Sequence, residues 1–484
     1  MGRFRPDQRV VVAVVYVCSM LLNSLSATII NVALATLGRE FHVSPAAIEA
    51  VVVSFLVSQA VCIPVSGWLG DRWGTKRSFL LDAGAVRGGV SGVVRGVAEF
   101  RAVGLVQDRA GGGGGLLTPV GMSMLYRAFP PEERVRLSRL LMFPTILGPA
   151  LGPVLGGFLV EKLSWHWAFF ANVPLGLGAF TFGLLFLSEH REAGAGRFDL
   201  PGFVLAGGGL GMVVFALTEG PSRGWTTPLI LACGIAGLAA LVAFVFVELR
   251  VAAPMVQLRI LGNRLFRATL LVSLFASAGF TGILFLVPLF LQEARGASPL
   301  LSGLTTFPEA IGVVVSTQLV ARLYPSIGPR RLMAGGLTGV AISMALLCAL
   351  QLGSSLWLVR LLMFLIGVGM AYVFLPNQAA SFATISREDT GQASTFFSVQ
   401  RQIGSALGVA VLSGVLVAAN AATGGEIGEP SLVAYRAAFV AAAALAATGA
   451  IMALRVPDRD AAATMRPKQA TEAEAEAEAS GVAA

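Results

Sequence analysis

The chain of 484 residues has the composition of a membrane protein: 55% of its residues are hydrophobic, 13% are charged and its formal net charge is +8. Soluble domains carry roughly 25% charged residues, so this composition excludes a soluble enzyme. Most of the Lys and Arg residues lie between apolar runs of about twenty residues, the length that crosses the hydrocarbon core of a bilayer. Cations in such positions set topology, and no nucleic-acid partner is expected.

The apolar runs predict an all-α polytopic fold with about fourteen transmembrane helices. A first set of six is predicted near residues 10–37, 46–69, 78–97, 103–126, 138–160 and 167–187. A pair follows near residues 200–217 and 228–247. A second set of six is predicted near residues 267–291, 302–323, 332–352, 357–378, 393–417 and 432–454.

Basic residues concentrate in alternate loops. Arg72, Lys76 and Arg77 follow the second run, and further clusters follow the fourth, sixth, eighth and tenth runs, whereas the other loops hold scattered cations. The positive-inside rule therefore predicts that both termini are cytoplasmic. We predict an N-terminal bundle over residues 1–190, two additional linker helices over 191–260 and a C-terminal bundle over 261–456. Residues 457–484 are low in complexity and are predicted to form a disordered cytoplasmic tail.

Residues 82–111 do not have the composition of a lipid-facing helix. Arg87 and Arg95 fall inside the third predicted span, and a central Arg costs roughly 2.5 to 3.5 kcal/mol on insertion scales. Without this span, however, every later basic loop would change sides of the membrane. Two interpretations stay open: the charges face a water-filled cavity, or the reading frame of the gene is shifted locally over this stretch.

A motif rich in glycine and charge follows the second span, with the sequence Gly67-Trp68-Leu69-Gly70-Asp71-Arg72-Trp73-Gly74-Thr75-Lys76-Arg77. Glycines permit a tight turn and close helix approach, and a carboxylate near a helix end can bind a helix N-terminus or a basic side chain. The motif resembles the G-x-L-x-D-R-x-G-x-K-R signature of the major facilitator superfamily. The resemblance implies a conformational gate formed by Gly67, Asp71, Arg72, Gly74, Lys76 and Arg77.

Small residues and prolines fill the fifth span, which contains Gly148, Pro149, Gly152, Pro153, Gly156 and Gly157. They allow helices to approach closely and to bend. The segment resembles the antiporter signature of drug exporters in that superfamily. Residues 165–176 resemble a segment of the fourteen-span drug:proton antiporters, with His166 where that family has Arg. The resemblance implies export by two six-helix bundles around a midplane cavity, with two extra helices between the bundles.

Proton coupling requires a titratable group within the membrane, since the chain contains no Walker loop for ATP. The first span resembles the L-D-x-T-I-V-N-V-A-L-P signature of the family, but Ser26 occupies its acidic position. We predict Glu309 in the tenth span as the proton-coupling residue, because burial favours the neutral carboxyl. A structural carboxylate at a helix end is the alternative. Ser26, Thr28, Asn31 and Arg401 are candidate cavity residues.

Together these features predict a multi-pass plasma-membrane transporter that exports lipophilic, drug-like compounds by proton antiport. Its expected partners are a small lipophilic substrate, protons and the lipid bilayer, with no obligate protein partner. No enzyme activity, no metal and no cofactor other than the proton gradient are expected. Two alternatives stay open: an exporter of one specific metabolite or antibiotic, and a membrane receptor or scaffold that transports nothing.

Overall fold

The computed structural model describes residues 7–40, 45–80, 100–129, 166–189, 198–251, 257–386, 388–423 and 431–465, with isolated residues between 133 and 164. These residues form helices and connecting turns, without strands. Ten of their helical segments are long and apolar enough to cross a membrane, and Gly176–Phe186 is a shorter apolar helix. The all-α fold is thereby confirmed, whereas the number fourteen stays a prediction.

The N-terminal half contains helices at the first, second, fourth and sixth predicted spans. Their bounds are Gln8–Glu40 for α1, Pro45–Trp73 for α2, Phe100–Ala128 for α3, His166–Phe170 for α4 and Asn172–Phe186 for α5. Although α3 is helical as predicted, it is not one of the ten apolar segments. The third span beyond residue 80, which includes Arg87 and Arg95, lies outside the described residues, and so does most of the fifth.

The two linker helices form a hairpin, which we call the linker hairpin: α6 is Leu200–Arg223 and α7 is Pro228–Glu248. Asp199 begins it, since its Oδ1 accepts a hydrogen bond from the backbone N–H of Gly202 at 2.9 Å. Gly224, with φ of 88°, ends α6 in a conformation that glycine adopts without strain. Along its length α6 packs against both α2 and α13.

The C-terminal half contains six predicted spans, and all six are helical. Their bounds are Arg264–Leu289 for α8, Pro299–Thr306 for α9, Pro308–Ile327 for α10, Pro329–Leu346 for α11, Leu356–Ser381 for α12, Thr390–Ala422 for α13 and Leu432–Ala453 for α14. The tenth span is divided into α9 and α10, because Pro308 lacks the backbone N–H that would continue α9. A short helix α15, Ala462–Met465, follows α14.

Glycines set the spacing of helices in this half. A Cβ atom on Gly367 of α12 would overlap the carbonyl oxygen of Glu309 on α10, and a Cβ on Gly336 of α11 would lie 2.7 Å from the carbonyl oxygen of Gly369 on α12. Lipid chains are as apolar as the helix surfaces, so association within a membrane depends on such close packing rather than on hydrophobic burial.

The start of the predicted tail is helical rather than disordered. The hydroxyl groups of Thr464 and Tyr324 are 2.8 Å apart, and Asp458 Oδ1 accepts a hydrogen bond from the backbone N–H of Arg330 at 2.8 Å. These contacts attach α15 and the turn before it to α10 and α11. Residues 466–484 lie outside the described residues.

Candidate functional site

One end of the helical bundle carries basic side chains from both halves of the chain, among them Lys76, Arg77, Arg259, Arg264 and Arg330. We call it the basic end. Apolar residues from the two halves meet there in a single cluster, which includes Phe79, Tyr126, Phe266, Phe382 and Phe397.

The glycine-rich motif forms the turn after α2 at the basic end. Gly74 has φ of 101°, a conformation that requires glycine, and a Cβ there would overlap the carboxylate of Glu189. Glu189 Oε1 accepts a hydrogen bond from the backbone N–H of Lys76 at 3.1 Å, and its Oε2 lies 3.7 Å from Nε of Arg77. The Nζ group of Lys76 donates to the carbonyl of Leu184 at 2.8 Å. This carboxylate, at the end of the sixth span, therefore holds the predicted gate turn.

Sequence reasoning missed Glu189. Its only signal is an acidic residue directly after the sixth apolar run, on the side of the membrane where the motif places its cations. Arg72 and Arg77 are exposed, and Lys76 is half-buried. The side chain of Asp71 lies outside the described residues, so its predicted contact stays a prediction.

Gly67 brings α2 of the first bundle against α13 of the second. A Cβ on Gly67 would lie 2.8 Å from Oγ1 of Thr395 and 3.5 Å from the carbonyl oxygen of Gly391. The hydroxyl groups of Ser66 and Thr395 are 3.5 Å apart. Farther along the same pair of helices, Gln402 Nε2 donates to the carbonyl of Leu56 at 3.5 Å. The close approach predicted for Gly67 is therefore made to the other bundle.

Aromatic rings join the two bundles beside this contact. Tyr126, near the end of α3, stacks on Phe382 with ring centroids 4.0 Å apart and planes 13° apart. Its hydroxyl donates a hydrogen bond to the carbonyl of Gln378 at 3.3 Å. Because α2 and α3 both contact the second bundle here, the two bundles are closed together at the basic end.

The predicted antiporter motif is described at Gly148, Gly152 and Gly156, and all three are buried. A Cβ on Gly148 would overlap the side chain of Ser24 on α1, so the fifth span approaches the first closely, as small residues allow. Pro149, Pro153 and Gly157 lie outside the described residues.

Glu309 lies in the first turn of α10, just after the break at Pro308, and is 6% exposed. Its carboxylate oxygen Oε1 is buried and has no hydrogen-bond partner among the described residues. Counted from Leu300, where the apolar segment begins, nine residues at 1.5 Å each place Glu309 about 14 Å along the span. That depth is near the middle of a hydrocarbon core roughly 30 Å thick.

Of the four candidate cavity residues, Arg401 alone has a described side chain; those of Ser26, Thr28 and Asn31 lie outside the described residues. Arg401 is half-buried on α13 and interacts electrostatically with Tyr16 on α1. A guanidinium of the second bundle is thus near enough to the first bundle to interact electrostatically with a side chain there. The sequence identified Arg401 but gave no indication of Tyr16 as its neighbour.

Polar side chains on α13 include buried hydroxyl oxygens of Ser394 and Ser398 without a hydrogen-bond partner among the described residues. Ser405, on the same helix, accepts a hydrogen bond from Thr281 of α8 at 3.1 Å. That pair serves helix packing, while the two serines nearer the basic end have hydrogen-bonding capacity to spare. No group of three metal-ligating side chains occurs within the described part of the chain.

Comparison with known proteins agrees with this geometry. A sequence profile described as Major Facilitator Superfamily matches residues 16–409 and, in a second match, residues 269–481. The chain is 28% identical over 411 residues to the multidrug resistance protein B homolog of Mycobacterium tuberculosis, a match that covers 83% of this chain and 75% of that protein. It is 30% identical over 415 residues to the puromycin resistance protein pur8 of Streptomyces alboniger, covering 84% of this chain and 82% of that protein.

The fold has solved counterparts. The proton:xylose symporter XylE superposes with a TM-score of 0.67 at 14% sequence identity, and the match covers 96% of this chain and 99% of the symporter. At that identity the likeness concerns the fold alone.

Proposed function

Because the chain belongs to the major facilitator superfamily, we propose that it is a secondary active exporter of lipophilic, drug-like compounds, driven by proton antiport. In this proposal it spans the plasma membrane about fourteen times, with both termini and the basic end in the cytoplasm. The two relatives named above carry drug resistance in their names, which supports this class of substrate.

Alternating access is the proposed mechanism, with the two bundles rocking around a site between them. The contacts of Gly67 with Thr395 and of Tyr126 with Phe382 join the bundles at the basic end. An exporter must break them to admit substrate from the cytoplasm and restore them to release it outside. Both contacts rest on small residues or on flat ring faces, which can separate without leaving a buried charge unpaired.

The observation that carries proton coupling is the buried carboxyl of Glu309. It lies deep in a membrane span, and Oε1 lacks a hydrogen-bond partner among the described residues. A charged carboxylate there is costly, whereas a neutral carboxyl is tolerated. We therefore expect the group to bind a proton when it is shielded from water and to release the proton when water reaches it. Ser26, at the acidic position of the first-span signature, cannot take this role at physiological pH.

The test is efflux of a lipophilic cationic dye from proteoliposomes, driven by an imposed proton gradient. Glu309→Gln keeps the size of the side chain and removes its proton chemistry. We expect gradient-driven efflux to fall to background while energy-independent dye exchange persists. The matched control is Glu293→Gln, in the helical turn Phe290–Ala294 that follows α8. There the amide oxygen still accepts the hydrogen bond that Tyr435 now donates to Glu293 at 3.3 Å. Unchanged gradient-driven efflux in Glu309→Gln would remove this residue from the mechanism.

The same assay separates the two alternative functions. An exporter of one metabolite or antibiotic would move none of a panel of unrelated dyes yet exchange its own compound. A receptor or scaffold would show no counterflow of any compound, even with correctly folded protein in the vesicles.

A further inference from the structure

A cleft opens at the basic end of the second bundle, between the beginning of α8, the beginning of α11 and the end of α14. It encloses about 490 Å³, and four of the residues around it are Arg264, Arg267, Arg330 and Arg455. We call it the arginine cleft. It lies apart from the gate turn, from Glu309 and from Arg401, so the proposed transport mechanism leaves it without a role.

The cationic groups of the arginine cleft form no ion pair with the described parts of the chain. No described carboxylate lies within 4.0 Å of any of the four guanidinium groups. Asp458 directly follows the cleft residue Pro457, and its Oδ1 accepts a hydrogen bond from the backbone N–H of Arg330 and so caps α11. Arg267 uses one donor on the carbonyl of Leu261 at 3.2 Å. Each guanidinium has five N–H donors, which leaves most of them available to a ligand.

The walls of the cleft are apolar and reach the outer surface of the helices. Leu271 on α8 is 43% exposed and Leu454, just after α14, is 51% exposed, and both line the cleft. Exposed leucines on membrane-spanning helices face acyl chains. The cleft therefore joins a cluster of cations, at the level where the helices leave the membrane, to a surface that faces lipid.

We propose that the arginine cleft binds the phosphate headgroup of an anionic phospholipid from the cytoplasmic leaflet. Guanidinium groups pair with phosphate oxygens through two parallel hydrogen bonds, and basic pockets between membrane helices on this side suit such headgroups. The acyl chains run along Leu271 and Leu454. A free phosphate would bind the arginines without contacting the leucines. The same holds for the glutamates within the chain's own residues 472–478.

The test is native mass spectrometry of the delipidated full chain with added phosphatidylglycerol or phosphatidylcholine. We expect clear preference for phosphatidylglycerol. Arg264→Gln combined with Arg267→Gln should weaken its binding roughly 30-fold, since each cation near the membrane surface contributes about 1 kcal/mol. The matched control is Arg322→Gln with Arg331→Gln, a pair of exposed arginines that do not line the cleft. It should bind phosphatidylglycerol as the unchanged chain does.

Three results would overturn the proposal. Equal losses of phosphatidylglycerol affinity in the two double variants would show that lipid binding depends on general surface charge rather than on the cleft. Displacement of phosphatidylglycerol by millimolar inorganic phosphate would make the cleft a free-anion site. Lipid binding that appears only after residues 466–484 are deleted would assign the cleft to the chain's own tail. If the first double variant unfolds, Arg455→Gln at the end of α14 replaces it with the same expected direction. The measurement is of binding alone, so its failure leaves the proposed export function unaffected.

Discussion

Helix α13 makes a close contact with α8 and another with α2, and the two contacts differ in the kind of atom that the glycine meets. Toward α8, inside its own bundle, a Cβ on Gly408 would overlap the carbonyl oxygen of Ala278, and its carbonyl carbon would be 2.6 Å away. Toward α2, in the other bundle, a Cβ on Gly67 would meet the side-chain Oγ1 of Thr395 at 2.8 Å. The first contact is between backbones; the second ends on a side chain that can rotate.

The difference matches what each contact must do in a transporter. A backbone contact has no rotamer through which to relax, so it suits a joint that stays closed while the bundle moves as a body. A contact through a hydroxyl side chain can form and separate at small cost. Small residues alone therefore do not identify a gate; the kind of atom across from them separates a permanent joint from a reversible one.

The largest effect on stability is expected at the permanent joint, the backbone contact between Gly408 and Ala278. Gly408→Ala forces α13 away from α8, and overpacking of this kind costs about 1 to 3 kcal/mol of unfolding free energy. We expect a lower thermal unfolding midpoint in detergent and a smaller folded yield. The measurement is intrinsic fluorescence on heating, with size-exclusion chromatography before and after.

The matched control for Gly408→Ala is Gly339→Ala in α11, where a Cβ would have nothing within 4 Å. An open helical glycine should gain about 0.5 to 1 kcal/mol when replaced by Ala. If both variants unfold at the same temperature, the backbone contact of Gly408 is not a joint of the kind described.

At the reversible joint, the contact between Gly67 and Thr395, we expect a smaller effect on folding and a larger effect on transport than at Gly408. In Gly67→Ala, Thr395 must rotate away and lose the hydrogen bond from its Oγ1 to the carbonyl of Gly391, now 3.2 Å. Weakening the contact by about 1 kcal/mol shifts the closed state by roughly five-fold. We expect dye efflux to slow by a similar factor, with an unfolding midpoint closer to that of the unchanged chain than Gly408→Ala gives.

Rescue separates a local collision from general damage. Gly67→Ala combined with Thr395→Ala removes the oxygen that the new methyl group meets, so the double variant should transport faster than Gly67→Ala alone. Additive losses would mean that the two residues act independently, and the reversible joint would have to lie elsewhere.

The smallest effect is expected at the gate turn, whose described contacts with Glu189 and Leu184 lie within the first bundle. Glu189→Ala removes the acceptor for the backbone N–H of Lys76 and the ion pair with Arg77. A hydrogen bond is worth about 0.5 to 1.5 kcal/mol, so trypsin should cut after Lys76 and Arg77 about 2- to 10-fold faster. Glu189→Gln keeps an acceptor and should change the rate less, since exposed ion pairs contribute little. Glu388→Ala, at another exposed acidic residue of the basic end, should leave cleavage unchanged.

The helices were predictable from sequence because an apolar run of membrane length has few alternatives to a helix. The linker hairpin and the six spans of the second half follow the predicted bounds within six residues, apart from the break at Pro308. Gly67 and Gly148 were recognised by their motifs, since close approach needs glycine. Their contact partners, Thr395 and Ser24, were not recognised. A glycine motif indicates that another helix comes close, but it does not indicate which residue of that helix makes the contact.

Two site features show where sequence reasoning ends. Glu189 is one carboxylate among several near span ends, and only the fold brings it over Gly74. Glu309 was selected by elimination among acidic residues, and the structure adds that it is buried next to the close contact of α10 with α12. Ser26 replaces an acidic residue of the signature, and nothing described in the structure explains that replacement.

The linker hairpin has a consequence for the route by which a lipophilic compound, the proposed substrate, could reach the transporter. Leu210 and Val214 of α6 pack on Ala60 of α2, with Val399 and Ile403 of α13 beside them. The hairpin thus covers one flank of the seam between the bundles and keeps acyl chains away from it. Under the proposed export function, a compound already dissolved in the bilayer cannot enter sideways between α2 and α13 on that flank. By its position alone the hairpin screens that side of the transporter from the bilayer.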